Sequence, residues 1–244
     1  MDIPTWRTRS RRRILERRLG SLLADAVQHV SAQRVVVVRS GCRRLPCGGS
    51  SDDPKRQLLS RRRFRPRAFH VLELGAGYAN FINNIRSRTR TAVDVWPALP
   101  QHVKSGVTAH VGCVTDLGFL PDRSVDFVFA SNLFEHLTQA KFADVLAQLE
   151  GKVRSGATLN ILQPNYKRAY KEYFDDYMHV SVYSDVSLCD FLEAHGWHVI
   201  ECVPGFLPLS LKSRLPVRPW LIRLYLRLPW RPLAKQMLVR AQRR

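Results

Sequence analysis

The stretch Val71-Leu72-Glu73-Leu74-Gly75-Ala76-Gly77-Tyr78-Ala79-Asn80-Phe81-Ile82 constrains the fold of this chain more than any other. A short apolar run rich in β-formers carries one acid, breaks into Gly-x-Gly, then resumes with helical spacing. That order predicts a strand, a tight turn and a helix N-terminus. Glycines at such a junction let the backbone come close to a ligand, and the first amides of the helix face it. A phosphate-binding turn has a similar pattern, but the carboxylate of Glu73 would repel a pyrophosphate. It suits a cationic ligand that carries an amine.

Further landmarks follow in order. Asp94 ends the run Thr91-Ala92-Val93-Asp94-Val95, the place where nucleotide-binding α/β folds hold ribose hydroxyls. Asp94 before Pro97 also reads as a turn former, and Asp116 in Val114-Thr115-Asp116-Leu117 as the cap of its own turn. Asp126 opens the apolar run Asp126-Phe127-Val128-Phe129-Ala130 and reads as structural. Ser131-Asn132-Leu133-Phe134-Glu135-His136-Leu137 comes directly after it.

These residues resemble the motifs of class I S-adenosylmethionine-dependent methyltransferases. The glycine turn matches E-x-G-x-G-x-G except at the third glycine, where Ala79 stands. The Glu135-His136-Leu137 loop is similar to that of small-molecule O-methyltransferases of the ubiquinone-biosynthesis type. The resemblance implies S-adenosylmethionine as cofactor, held by Glu73, Gly75, Gly77, Asp94, Asp116 and Asn132, with Asp116 beside the adenine. It implies a last strand that runs antiparallel to the rest.

From Phe69 the expected order is strands at His70–Leu74, Thr91–Val95, 108–112, 125–130, 157–162 and 196–202. Helices are expected at 79–88, 139–152 and 186–195, and a seventh strand at 235–240. Alternation of this kind predicts a Rossmann-like, doubly wound α/β sheet of about seven strands. Ligands of such sheets lie beyond the carboxyl ends of the strands. Gln163-Pro164-Asn165-Tyr166 and the aromatic-rich insertion from Tyr170 to His179 fall on that rim as an acceptor wall, or as a cover for the sheet edge.

Charge divides the chain. Residues 1–67 carry 18 Lys and Arg against 5 acids, 68–204 carry 11 against 15, and 205–244 carry 10 against none. The middle has the balance of an ordinary enzyme body, and the basicity resides at the ends. Residues 1–67 read as a basic, poorly ordered arm, with one helical stretch at 14–30. Its Arg11-Arg12-Arg13 and Arg61-Arg62-Arg63 runs can track a phosphate backbone or anionic lipid, and an incorrectly assigned start is a further reading. The methyltransferase domain is expected over 68–244. Within it, 206–233 form a basic helical insertion between strands six and seven. Arg223, Arg227 and Arg231 share a helix face, with Trp220, Leu221, Leu224, Tyr225 and Leu228 on the rest. That pattern suits an anionic membrane surface, and equally a helix packed on its own sheet.

The five cysteines form no paired CxxC sets, so no metal site is expected. The start lacks the apolar core of a secretory signal. Cytoplasmic residence is the default, with a peripheral place on the inner membrane face. His136 and His179 are the candidate bases for an acceptor hydroxyl. Aminomethylating enzymes of this class carry a Pro-Pro pair after strand four; Asn132-Leu133-Phe134 has none, which favours an oxygen acceptor. Chains with this layout look like bacterial methyltransferases of glycan and lipid-linked saccharide synthesis. The expected acceptor is therefore a sugar or lipid-linked small molecule. Nucleic acid is disfavoured for want of an RNA-binding module, and oligomeric state is not legible. The competing readings are an RNA methyltransferase and a non-catalytic protein that binds anionic surfaces.

Overall fold

The computed structural model describes residues 69–208, 224–225, 228 and 231–243. The arm at 1–67, Cys42 and Cys47, and Trp220, Arg223 and Arg227 of the basic insertion lie outside these residues.

Seven strands form one sheet: β1 (His70–Leu74), β2 (Thr89–Asp94), β3 (Thr108–Val111), β4 (Val125–Ser131), β5 (Val153–Pro164), β6 (Trp197–Pro208) and β7 (Ala234–Arg243). Their order is β3-β2-β1-β4-β5-β7-β6. All neighbours are parallel except β7, which runs antiparallel to both β5 and β6. The chain winds outward from β1 to β3, then returns to lay β4 against the other side of β1. That reversal falls between β1 and β4, whose carboxyl ends are the usual ligand position in such sheets.

The buried side chains fall into two clusters. One holds Leu72, Leu74, Val128 and Leu159 with the helix residues Phe142, Val145, Leu146, Leu149, Leu188 and Leu192. The other holds Val71, Phe127, Phe129 and Leu238 with Phe81, Ile82, Ile85 and Leu99. Helix α1 (Gln139–Lys152) begins where Thr138 accepts a hydrogen bond from the Lys141 amide, and it buries one apolar stripe at helical spacing. Each such side chain stabilises the fold by about 1.5–3 kcal/mol. A single turn, α2 (Tyr166–Ala169), follows β5 and is capped by Asn165. Helix α3 (Asp185–Ala194) starts with a reciprocal Ser184–Ser187 capping box and ends before Gly196, whose φ is +78°.

The helix expected over 79–88 does not form. Turns occupy the segment instead, with Ala79 at φ +55°. Asparagine side chains compete with the helical ladder there: Asn84 donates to the Asn80 carbonyl, while Asn83 bonds both the His102 carbonyl and the Lys104 amide. Strand β6 runs on to Pro208, well past the expected 202, so Phe206 and Leu207 belong to the buried sheet rather than to the insertion. Of the insertion's apolar face, Tyr225 packs against the second cluster, while Leu224 and Leu228 are exposed. No helix among the described residues is long and apolar enough to cross a membrane.

Candidate active site

The turn after β1 is held by hydrogen bonds to the end of β2. The Ala76 amide donates to the Val93 carbonyl at 3.1 Å, and the Gly77 amide to Asp94 Oδ2 at 2.7 Å. Asp94 Oδ1 accepts from the Trp96 amide at 2.8 Å. Asp94 therefore joins the glycine turn to the loop after β2, as a strand-end acid near a ligand cleft would.

The two glycines have different reasons to be glycine. Gly75 has φ +65°, and a Cβ there would lie 2.9 Å from Leu133 Cδ1, so the loop after β4 packs directly on its backbone. Gly77 has φ +49°, and a Cβ there would meet nothing within 4 Å. The left-handed conformation and the open face at Gly77 together leave room for a ligand against the main chain.

Glu73 is only 4% exposed, and its Oε2 accepts from the Ile82 amide at 2.9 Å. It buttresses the turn segment from below, a role its place in the sequence did not announce. Burial pushes its carboxyl up to about 8, helped by the nearby charge of Asp94 and opposed by the Ile82 amide.

Asp116 is exposed and accepts from the Gly118 amide, so it caps its own turn. Asn132 sits at φ +49° directly after β4, and its Oδ1 accepts from Gln236 Nε2 of β7 at 2.9 Å. Asp126 is structural: it accepts from the His70 amide and pairs with Arg154.

The two candidate bases come together. The rings of His136 and His179 lie 4.8 Å apart between centroids. His136 Nδ1 is 3.2 Å from the Met178 carbonyl, and His179 Nδ1 is 2.5 Å from the Tyr173 carbonyl. A carbonyl only accepts, so each Nδ1 carries a proton, and in the neutral ring the lone pair is on Nε2. Both rings are half-buried.

Three further groups lie here to which sequence reasoning assigned no individual role. Glu135 is fully buried, and neither carboxylate oxygen has a hydrogen-bond partner among the described residues. Burial pushes it up to about 8, with Asp176 adding to the shift. Gln163, at the carboxyl end of β5, is likewise buried with its amide unpartnered among those residues. Trp96 stacks on His102 at 4.8 Å, and Tyr78 meets both edge-on at 5.1 Å, which forms an aromatic wall beside Gly77 and Asp94. An acid inside an apolar loop was the one signal for Glu135; the aromatic wall had none, since its members are far apart in sequence.

Sheet order, glycine turn and strand-end acid are those of a Rossmann-like methyltransferase fold. Residues 72–161 match the family model described as a methyltransferase domain. That segment is similar to methyltransferase domains, and the fold of the chain is the one that solved methyltransferases share. Among solved structures, it is similar to a SAM-dependent methyltransferase from Archaeoglobus fulgidus, at 20% identity and a TM-score of 0.56, over 78% of this chain and 92% of that one. It also resembles the N-methyltransferase NodS from Bradyrhizobium japonicum WM9 in complex with S-adenosyl-L-homocysteine, at 12% identity and TM-score 0.52, over 72% and 79% of the two chains. A third likeness is to geranyl diphosphate C-methyltransferase from Streptomyces coelicolor A3(2), at 11% identity and TM-score 0.51, over 73% of each. No curated protein matches the chain in sequence.

Proposed function

We propose that the chain is an O-methyltransferase acting on a sugar or a lipid-linked small-molecule acceptor. The observation that carries this reading is the pair of imidazoles after β4 and before α3, each with its Nε2 lone pair free. The nearness of His136 in sequence to the glycine turn's neighbour supports the reading, since it is three positions beyond the Leu133 that packs on Gly75. When bound, S-adenosylmethionine supplies a methyl group already activated on a sulfonium sulfur. The chain has then to position the acceptor and deal with its proton.

Gly75 and Gly77 give the cofactor close access to backbone amides, and Asp94 offers carboxylate oxygens to ribose hydroxyls. His136 or His179 accepts the hydroxyl proton at Nε2 while its Nδ1–H stays on a main-chain carbonyl. The absence of a Pro-Pro pair after β4 supports an oxygen acceptor over an exocyclic amine. Tyr170, Phe174 and Tyr177 are exposed in the segment leading to His179 and present flat apolar faces of the kind that pack on sugar rings. Leu224 and Leu228, exposed and next in sequence to Arg223 and Arg227, support a peripheral place on anionic lipid at the inner membrane face.

The test is a labelled-methyl assay of the full chain with S-adenosylmethionine against lipid-linked saccharides, free glycans and RNA. Label in an alkali-stable ether on the first two supports the reading. Label in RNA instead would establish the alternative that the net charge of +19 favours.

A further inference from the structure

We propose that Glu135, His136 and His179 bind a divalent transition-metal ion, Zn2+ being the representative, whose open coordination position takes the acceptor oxygen. The catalytic part rests on the O-methyltransfer reading above; the binding part does not.

One ligand atom from each of these residues lies within 4.8 Å of the other two. Tetrahedral zinc with bonds of about 2.0–2.2 Å needs donor separations of roughly 3.3 Å, so closure asks for a movement of about 1.5 Å. The movement required is a rotation of the half-buried rings, His136 at the end of the short turn Phe134–His136 and His179 in irregular chain before α3. The donor chemistry also fits. Both imidazoles are fixed by Nδ1–H bonds to main-chain carbonyls, the outer support that metal-bound histidines usually have, and this leaves both Nε2 atoms as ligands. Glu135 is fully buried, and nothing among the described residues bonds either of its oxygens. A buried carboxylate without a partner is costly, and a cation would satisfy it.

The cluster is held from outside as well. The Glu135 carbonyl accepts the Val180 and Ser181 amides at 2.9 and 3.1 Å, and this ties the segment that carries His179 to the loop that carries His136. Tyr173 adds a bond from its hydroxyl to the Ser181 carbonyl at 2.6 Å. Two imidazoles and one carboxylate form a donor set for zinc and its neighbours rather than for magnesium or calcium, which prefer oxygen cages. Three protein ligands leave a position open, as catalytic sites require.

With the ion in place the histidines act as ligands, and the ion activates the acceptor. A hydroxyl bound to it loses its proton to water and the O–H electron pair stays on oxygen. That oxygen then bonds the methyl carbon as the methyl–sulfur bond breaks and its pair passes to sulfur. The products are a methyl ether, a thioether and one proton.

The experiment is titration of the metal-stripped full chain with Zn2+ by calorimetry, and with Co2+ followed by its ligand-field absorption. Wild type and the Glu135→Gln, His136→Ala and His179→Ala variants are compared, each checked by circular dichroism. One ion per chain, with affinity lowered at least tenfold by each folded variant, is expected. Should Glu135→Gln not fold, the two variants at half-buried positions carry the test. Affinity unchanged in the histidine variants, or no binding by wild type, overturns the site. Turnover lost on chelation and restored by Zn2+, with S-adenosylhomocysteine affinity constant, supports the catalytic part. Full turnover after chelation overturns it and returns the proton to a histidine. Tight, variant-sensitive Zn2+ binding without methyl transfer to any acceptor supports the site and counts against the O-methyltransfer reading alone.

Discussion

Replacing Glu73 by Gln should make the protein less sensitive to pH, and the structure gives the size of the effect. The carboxyl is raised from 4.5 to about 8 because it is buried under the glycine turn. Between those values the native state keeps a proton that the unfolded chain has lost. A raised carboxyl pKa makes its contribution to stability largest below pH 4.5, and this contribution declines as pH rises toward 8. The slope is on the order of 1 kcal/mol per pH unit, so Glu73 alone removes about 2–3 kcal/mol between pH 5 and 7. Glutamine keeps an oxygen to accept the Ile82 amide and has no proton to lose. Urea unfolding of both proteins at half-unit steps from pH 4 to 8 isolates the difference, since Glu135 and the other groups titrate alike in both. The variant should gain on wild type by that amount from pH 5 to 7. Parallel stability curves would refute the reasoning and place Glu73 in contact with water.

The left-handed Gly75 should not tolerate a methyl group: with φ +65° and Leu133 Cδ1 2.9 Å from the added carbon, Gly75→Ala should cost roughly 1–3 kcal/mol of unfolding free energy, read by denaturant titration. His179→Ala should lower kcat on an oxygen acceptor by on the order of a hundredfold with cofactor affinity unchanged; a change confined to KM would make it a positioning residue. If the basic insertion meets lipid, charge reversal at Arg223 and Arg227 should weaken binding to anionic vesicles in sedimentation assays, and added salt should do the same. Binding that ignores salt would favour a helix packed on its own sheet.

The sheet was largely legible in the sequence because local signals carry it. Alternating apolar runs place β1, β4 and α1, and the helical stripe of Phe142, Val145, Leu146 and Leu149 buries as its spacing predicts. The antiparallel direction of β7 came from family resemblance, and its place between β5 and β6 had no local signature in the sequence. The segment after Gly77 was misread because helical spacing does not report that asparagine side chains bond the main chain. The glycine turn and the strand-end place of Asp94 were legible from position in the sequence, whereas the actual partners of Glu73 and Asn132, Ile82 and Gln236, are set by folding. Glu135 passed unassigned although it stands beside His136, because its importance lies in complete burial, which an acidic letter in a loop does not reveal.

The central claim is that the carboxyl ends of β1, β2 and β4 hold S-adenosylmethionine through the glycine turn and Asp94. Calorimetric titration of wild type and Asp94→Ala with S-adenosylmethionine tests it most directly. One cofactor per chain should bind, and loss of a charged hydrogen-bond acceptor, worth about 1.5–3 kcal/mol, should weaken it roughly ten- to a hundredfold. A folded wild type that gives no binding heat across several temperatures, or an Asp94→Ala variant of unaltered affinity, would contradict the account.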